Sequence, residues 1–233
     1  MSSDDPAMTL AREPLDPLRC ALLLIDLQRD FLDPRGYAAQ AGLDVERLRR
    51  VIGPALALRN AARESGMRVI LTREGHRPDL ADCPGTKWAR SRAAGAEIGS
   101  AGPLGRLLVR GEYGHDLIDE FSPREGELVL DKPGYSAFHQ TELDQILRVT
   151  GIDTLLICGV TTEVCVHSTV RAAIDLGYRC LTVSDACAAS QPELQAPALA
   201  MMGVEGGIFG EVLDHASLLH RLPQTRWPVG ALA

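Results

Sequence analysis

The run Ala21-Leu-Leu-Leu-Ile25 is apolar at every position and closes on a carboxylate, Asp26. A strand with one wet face alternates in polarity, so an unbroken run of this length predicts a strand covered on both faces, as in a parallel sheet between helices. Segments 68–72, 127–131, 154–158 and 180–184 have the same length and a largely apolar middle, and read as further strands. Helical spacing fills the gaps: 45–65 after Asp44 and before Gly66, 141–149 from Thr141 to Gly151, 163–176 before Gly177, and 192–202 before Gly203. Residues 204–209 read as a last short strand, and 216–222 closes the fold. Strands alternating with helices predict an α/β fold in three layers, α/β/α, with right-handed crossovers.

At 233 residues the chain is long enough for a full core, and one domain over 1–233 is expected, with 1–19 as an extended, proline-bearing arm. No apolar run reaches the roughly 18 residues of a membrane span. The net charge of −7, without a Lys/Arg cluster, argues against nucleic acid and anionic membranes as partners. The six cysteines form no CxxC pair and no zinc spacing, and the acidic N-terminus lacks an apolar leader core, so a reducing cytoplasm is expected.

In an open parallel sheet, ligands bind at the carboxyl ends of the strands. Three reactive side chains fall there: Asp26, Lys132 after 127–131, and Cys165 where the strand 154–158 turns into a helix. Free N–H groups and the macrodipole at a helix start lower a thiol's pKa and hold an anion. Each residue alone has a structural reading: Asp26 as a turn cap, Lys132 as a solvated lysine, Cys165 as core packing. Together they form a working unit. The carboxylate takes the thiol proton, the lysine stabilises both anions, and the helix start holds an oxyanion.

Ile25-Asp-Leu-Gln-Arg-Asp-Phe31, Asp131-Lys-Pro-Gly-Tyr-Ser-Ala-Phe138 and Gly159-Val-Thr-Thr-Glu-Val-Cys165 together resemble the isochorismatase-like cysteine hydrolases, over residues 20–215. That family includes nicotinamidases and carbamoylsarcosine and ureidoacrylate amidohydrolases. The stretches 71–80, 110–112, 170–180 and 206–210 look most like its biuret-hydrolysing members. The resemblance implies a six-stranded, mostly parallel Rossmann-like sheet and a catalytic triad of Asp26, Lys132 and Cys165. It further implies an oxyanion hole from the backbone N–H groups of Thr161 and Cys165, a cis peptide at Val160-Thr161, Phe31 in the pocket wall, and a homo-oligomer, a tetramer by preference.

Two departures matter. The segment after the second strand has His76 as its only histidine and no D-x-H pattern, so no catalytic metal and no cofactor are expected. Position 205 is Glu where the biuret-hydrolysing members are expected to carry Gln. An ionised glutamate only accepts hydrogen bonds, so Glu205 would favour a substrate rich in N–H groups; the alternative is that it faces solvent or pairs with an arginine. The expected reaction is metal-free cleavage of a ureide C–N bond through a Cys165 thioester, with biuret giving allophanate and ammonia. Triuret, ureidoacrylate and other carbamoyl amides follow, and a non-catalytic binding protein on the same fold is the alternative of another class. His139, His167, Trp88, His76, Tyr135 and Phe138 lie near the predicted site or its lid, without a defined role.

Overall fold

In a computed structural model, which describes residues 14–223, six parallel strands form one sheet: β1 (Cys20–Ile25), β2 (Arg68–Glu74), β3 (Leu128–Lys132), β4 (Thr154–Val160), β5 (Arg179–Ala188) and β6 (Glu211–Leu213). Their order is β3-β2-β1-β4-β5-β6. The chain starts at the centre, winds outward to one edge, then returns to the middle and winds to the other. β1 and β4 are buried at every residue, which is why their sequences are apolar throughout. The topological switch lies between them, and a ligand crevice forms there at the strands' carboxyl ends.

The helices are α1 (Ile52–Ser65), α2 (Gly85–Ala93), α3 (Leu143–Val149), α4 (His167–Asp175), α5 (Pro192–Met202) and α6 (His215–His220), with shorter turns between. Gly66 ends α1 in the left-handed region, with φ 74°. Asp44 caps the turn before α1 by accepting from the Arg47 N–H at 3.1 Å. One hydrophobic core runs from Leu15 to Leu222 through both faces of the sheet.

Four expectations change. Residues 14–19 are not simply extended, since Pro17–Arg19 form a 3₁₀ turn; residues 1–13 of the expected arm lie outside the described residues. The strand expected at 204–209 is a helical turn, Val204–Gly207, with Glu205 and Gly206 at φ 52° and 74°, and the edge strand is β6 instead. Left-handed backbone cannot continue a strand. The helix expected from Glu163 opens as a π turn, Thr162–Val166, before α4. The stretch 75–105, without period in the sequence, contains α2 and a small antiparallel ribbon pairing Ala101–Gly102 with Gly105–Arg106.

Candidate active site

Four neighbouring strands, β3, β2, β1 and β4, each end in a reactive group: Lys132, Glu74, Asp26 and, past the turn, Cys165. Strands in a sheet lie about 4.8 Å apart, so side chains on one face at adjacent ends can meet. Glu74 and Lys132 are register partners, as are Thr72 and Leu130, which puts Thr72, Glu74 and Lys132 on one face.

The end of β4 reaches β1 through Gly159. Its φ is 128°, and a Cβ there would stand 2.1 Å from the Ile25 carbonyl oxygen. Only glycine allows this approach, which brings the nucleophile turn beside Asp26. Asp26 itself is left-handed, with φ 56°. The Val160-Thr161 peptide is cis, as the resemblance implied.

Side chains then fasten the turn. Thr162 Oγ1 donates to Gln195 Oε1 at 2.9 Å, and Gln195 Nε2 donates to the carbonyl of Cys187 at 3.0 Å, tying the turn to β5 and α5. Thr169 Oγ1 donates to the Cys165 carbonyl at 2.7 Å and accepts from the Ala137 N–H at 3.0 Å, tying it to the loop after Lys132. Gln28 of the first motif holds the main chain of Glu74, accepting from its N–H at 2.6 Å and donating to its carbonyl at 3.0 Å.

Lys132 is fully buried, and its ammonium stands 2.8 Å from Asp26 Oδ2, 3.5 Å from Glu74 Oε2 and 3.5 Å from Cys165 Sγ, with the Gly134 carbonyl at 3.1 Å. Thr72 Oγ1 donates to Asp26 Oδ1 at 2.6 Å. The Cys165 thiol donates to Glu74 Oε2 at 3.2 Å. Glu74 Oε1 takes the ammonium of Lys87 from α2 at 2.6 Å, and Lys87 also donates to the Pro133 carbonyl at 2.7 Å. Carboxylates and ammoniums thus alternate as Asp26, Lys132, Glu74 and Lys87, and the thiol touches the middle two.

Burial pushes the Asp26 carboxyl above its usual range; Lys132 opposes this, the charge of Glu74 adds to it, and Thr72 opposes it weakly. Burial also works against ionisation of Glu74, but Lys132 and then Lys87 overcome it and hold the acid at about 2. Burial pushes the Cys165 thiol well up, with Lys132 opposing and both carboxylates adding. Burial disfavours charge on Lys132 as well, yet Asp26, Cys165 and Glu74 raise its pKa above the ordinary value.

Donor atoms of Asp26, Glu74 and Cys165 lie within 4.8 Å of one another, the spacing of a metal-ligand set. The Lys132 ammonium sits among all three, so a second cation would meet its charge at close range.

A cavity of about 580 Å³ opens on the thiol. Phe31, Tyr37, Leu43 and Ile98 give it an apolar wall, and Glu74, Lys87, Arg90, Tyr135, Thr161 and Cys165 line its polar side. Asp30 positions Tyr37 by accepting its N–H at 3.3 Å, and accepts the Leu108 N–H at 2.9 Å. Arg90 donates to the Tyr135 hydroxyl, and among the described residues no carboxylate pairs with it.

Of the residues expected from the sequence, Asp26, Lys132 and Cys165 come together and Phe31 and Thr161 line the cavity. Glu205 does not: it is exposed on the left-handed turn after α5 and is no part of the cavity wall. Among the aromatic and histidine candidates only Tyr135 lines the cavity; Phe138 stacks on Tyr178 at 5.7 Å, and His76 is buried against Asp82. Glu74, Lys87 and Arg90 were missed. The signal for Glu74 was its place at the carboxyl end of the second strand.

A thiol, a carboxylate and an ammonium gathered at the carboxyl ends of this sheet are the groups that hydrolysis through a cysteine requires. The Isochorismatase domain matches residues 20–217, and the chain belongs to the isochorismatase family. It is 34% identical over 209 residues to ureidoacrylate amidohydrolase RutB of Serratia proteamaculans, covering 88% of this chain and 84% of that protein. A cysteine hydrolase from Pseudomonas syringae pv. phaseolicola superposes with a TM-score of 0.76 and 29% identity, over 90% of this chain and 95% of that one. N-carbamoylsarcosine amidase from Thermoplasma acidophilum gives 0.65 and 28%, over 84% and 96%.

Proposed function

We propose that this protein is an amidohydrolase that cleaves the carbamoyl C–N bond of a small N-carbamoyl acid, of the ureidoacrylate kind, through a Cys165 thioester. The observation that carries the choice of substrate is Arg90. It is a cation on the wall of the thiol's cavity, on the same α2 as Lys87, and no carboxylate of the described residues neutralises it. A guanidinium there suits a substrate carboxylate, which it can grip in a bidentate fork. The apolar wall of Phe31, Tyr37, Leu43 and Ile98 suits the short carbon chain between carboxylate and carbamoyl group.

The stretches 71–80, 110–112, 170–180 and 206–210 suggested biuret, and Glu205, which would have disfavoured an anionic substrate, lies outside the cavity. The names of the relatives point the same way. Biuret and triuret are therefore the second choice.

In the reaction, Cys165 Sγ attacks the carbonyl carbon. Asp26 takes the thiol proton and passes it to the leaving nitrogen, because burial raises its carboxyl and makes it a better proton acceptor, whereas Lys132 and Lys87 hold Glu74 low. Lys132 orients Asp26 and balances charge as the oxyanion forms against the backbone N–H groups of Thr161 and Cys165. Water activated by Asp26 then cleaves the thioester. No metal enters this scheme, since Lys132 supplies the cation. A cytoplasmic setting is expected because an oxidising one would consume a working thiol. Oligomerisation, a tetramer by preference, stays a proposal by family resemblance.

Ammonia or amine release by the wild type, without added metal, across ureidoacrylate, carbamoylsarcosine, biuret, triuret, nicotinamide and urea tests the reading. Turnover led by the two carbamoyl acids supports it. Turnover led by biuret or nicotinamide overturns the substrate assignment.

A further inference from the structure

We infer that Glu74 selects the substrate's carbamoyl end: its carboxylate receives an N–H next to the scissile carbonyl while the carbonyl carbon rests above Cys165 Sγ. This rests on the amidohydrolase reading and extends it to what the site requires on either side of the carbon under attack.

Position comes first. A carbonyl carbon poised for attack lies about 3–3.5 Å from the nucleophile, and its nitrogen is one bond of about 1.33 Å farther. Glu74 Oε2 is 3.2 Å from Sγ and shares the cavity wall with it, so that nitrogen falls within hydrogen-bond reach of the carboxylate. The second argument is rigidity. Lys87 holds Oε1 at 2.6 Å and is itself held by the Pro133 carbonyl at 2.7 Å and seated 4.9 Å from the centre of the Tyr135 ring. Gln28 fixes the backbone beneath.

The third argument is chemical. Between two lysines Glu74 stays ionised and is an acceptor only. It therefore does not compete with Asp26 for the thiol proton during turnover. In the resting site Oε2 receives the S–H; once that proton moves to Asp26, the same oxygen is free to receive the substrate N–H. A carboxylate placed here would face Glu74 and be repelled, so the acid group of the substrate must lie at the far end, toward Arg90. The site thereby reads both ends: N–H against Glu74, carboxylate against Arg90.

The test compares two compounds that differ only in that nitrogen: 3-ureidopropionate, with a terminal carbamoyl NH₂, and 3-acetamidopropionate, with a methyl group in its place. Hydrolysis is measured for wild type and Glu74→Gln, and binding by calorimetry in the non-reacting Cys165→Ala protein with and without Glu74→Gln. The wild type should prefer the carbamoyl compound, and Glu74→Gln should reduce that preference by about tenfold, the effect of exchanging a charged hydrogen-bond acceptor for a neutral one. A structural or proton-transfer role lowers both compounds together and leaves the ratio unchanged, which overturns the inference. Should Glu74→Gln fail to fold, Glu74→Gln with Lys87→Met restores the charge balance and is read in the same way. Cys165→Ala protein that binds neither compound, while the wild type turns over another amide, overturns the role of Glu74 and leaves the amidohydrolase reading standing.

Discussion

Replacing Lys132 with Met removes the ammonium 2.8 Å from Asp26 Oδ2 and leaves that carboxylate at zero exposure beside the anion of Glu74. Breaking a buried pair by removing one partner costs about 3–5 kcal/mol at a pH where the orphan is charged. Asp26 escapes by protonating. Its folded pKa, already raised by burial in the wild type, rises further, so the loss relative to wild type is absent below the wild-type folded pKa and grows above it by about 1.4 kcal/mol per unit until the variant's own folded pKa is passed. Glu74 keeps Lys87 at 2.6 Å and Cys165 stays a thiol, so Asp26 is the group that sets the window. Lys132→Met should therefore lose clearly less stability relative to wild type at pH 5 than at pH 8, where the loss reaches about 3–5 kcal/mol. For a chain of this size the latter lowers the melting temperature by about 10 °C. Urea denaturation followed by circular dichroism at the two pH values reads this directly. A loss equal at both, or below about 1 kcal/mol at pH 8, would refute the claim that the pair is buried and charged.

Gly159→Ala should cost about 3 kcal/mol or more, because the new Cβ would meet the Ile25 carbonyl at 2.1 Å from a φ of 128°; a melting temperature within about 3 °C of wild type would contradict this. Arg90→Met should raise KM for carboxylate-bearing carbamoyl compounds about tenfold or more and leave biuret unchanged, and equal effects on both would remove Arg90 from substrate binding. Burial pushes the Asp30 carboxyl to about 6, so its contribution to stability is present below pH 4 and is lost as pH rises from about 4 to 6, by about 3 kcal/mol. Asp30→Asn should flatten that part of the stability profile, as denaturation midpoints at pH 4 and 7 would show.

Much of this site was legible in the sequence because its chemistry follows local pattern. Asp26 closes an apolar run, Lys132 closes another, and Cys165 stands at a strand-to-helix turn; the sheet then brings strand ends together without further information. Glu74 and Lys87 were harder, since their meaning lies in a contact between β2 and a helix whose polar sequence, Gly-Thr-Lys-Trp-Ala-Arg-Ser-Arg-Ala, shows no apolar period. The false strand at 204–209 came from Ile208 and Phe209, apolar neighbours of Gly206 and Gly207 that leave the chain in left-handed backbone. β6 is three residues long and too short to show alternation. Glu205 drew attention by a residue change alone, and residue identity does not say which way a turn faces.

The central claim is a covalent bond between substrate and Cys165. Wild-type protein turning over ureidoacrylate should be quenched in acid within the first turnovers and its mass measured intact and after digestion. The account predicts an added carbamoyl group on the peptide carrying Cys165, lost as turnover ends and absent, with activity, in Cys165→Ala. Undiminished turnover by Cys165→Ala, or an adduct on another residue, would contradict it.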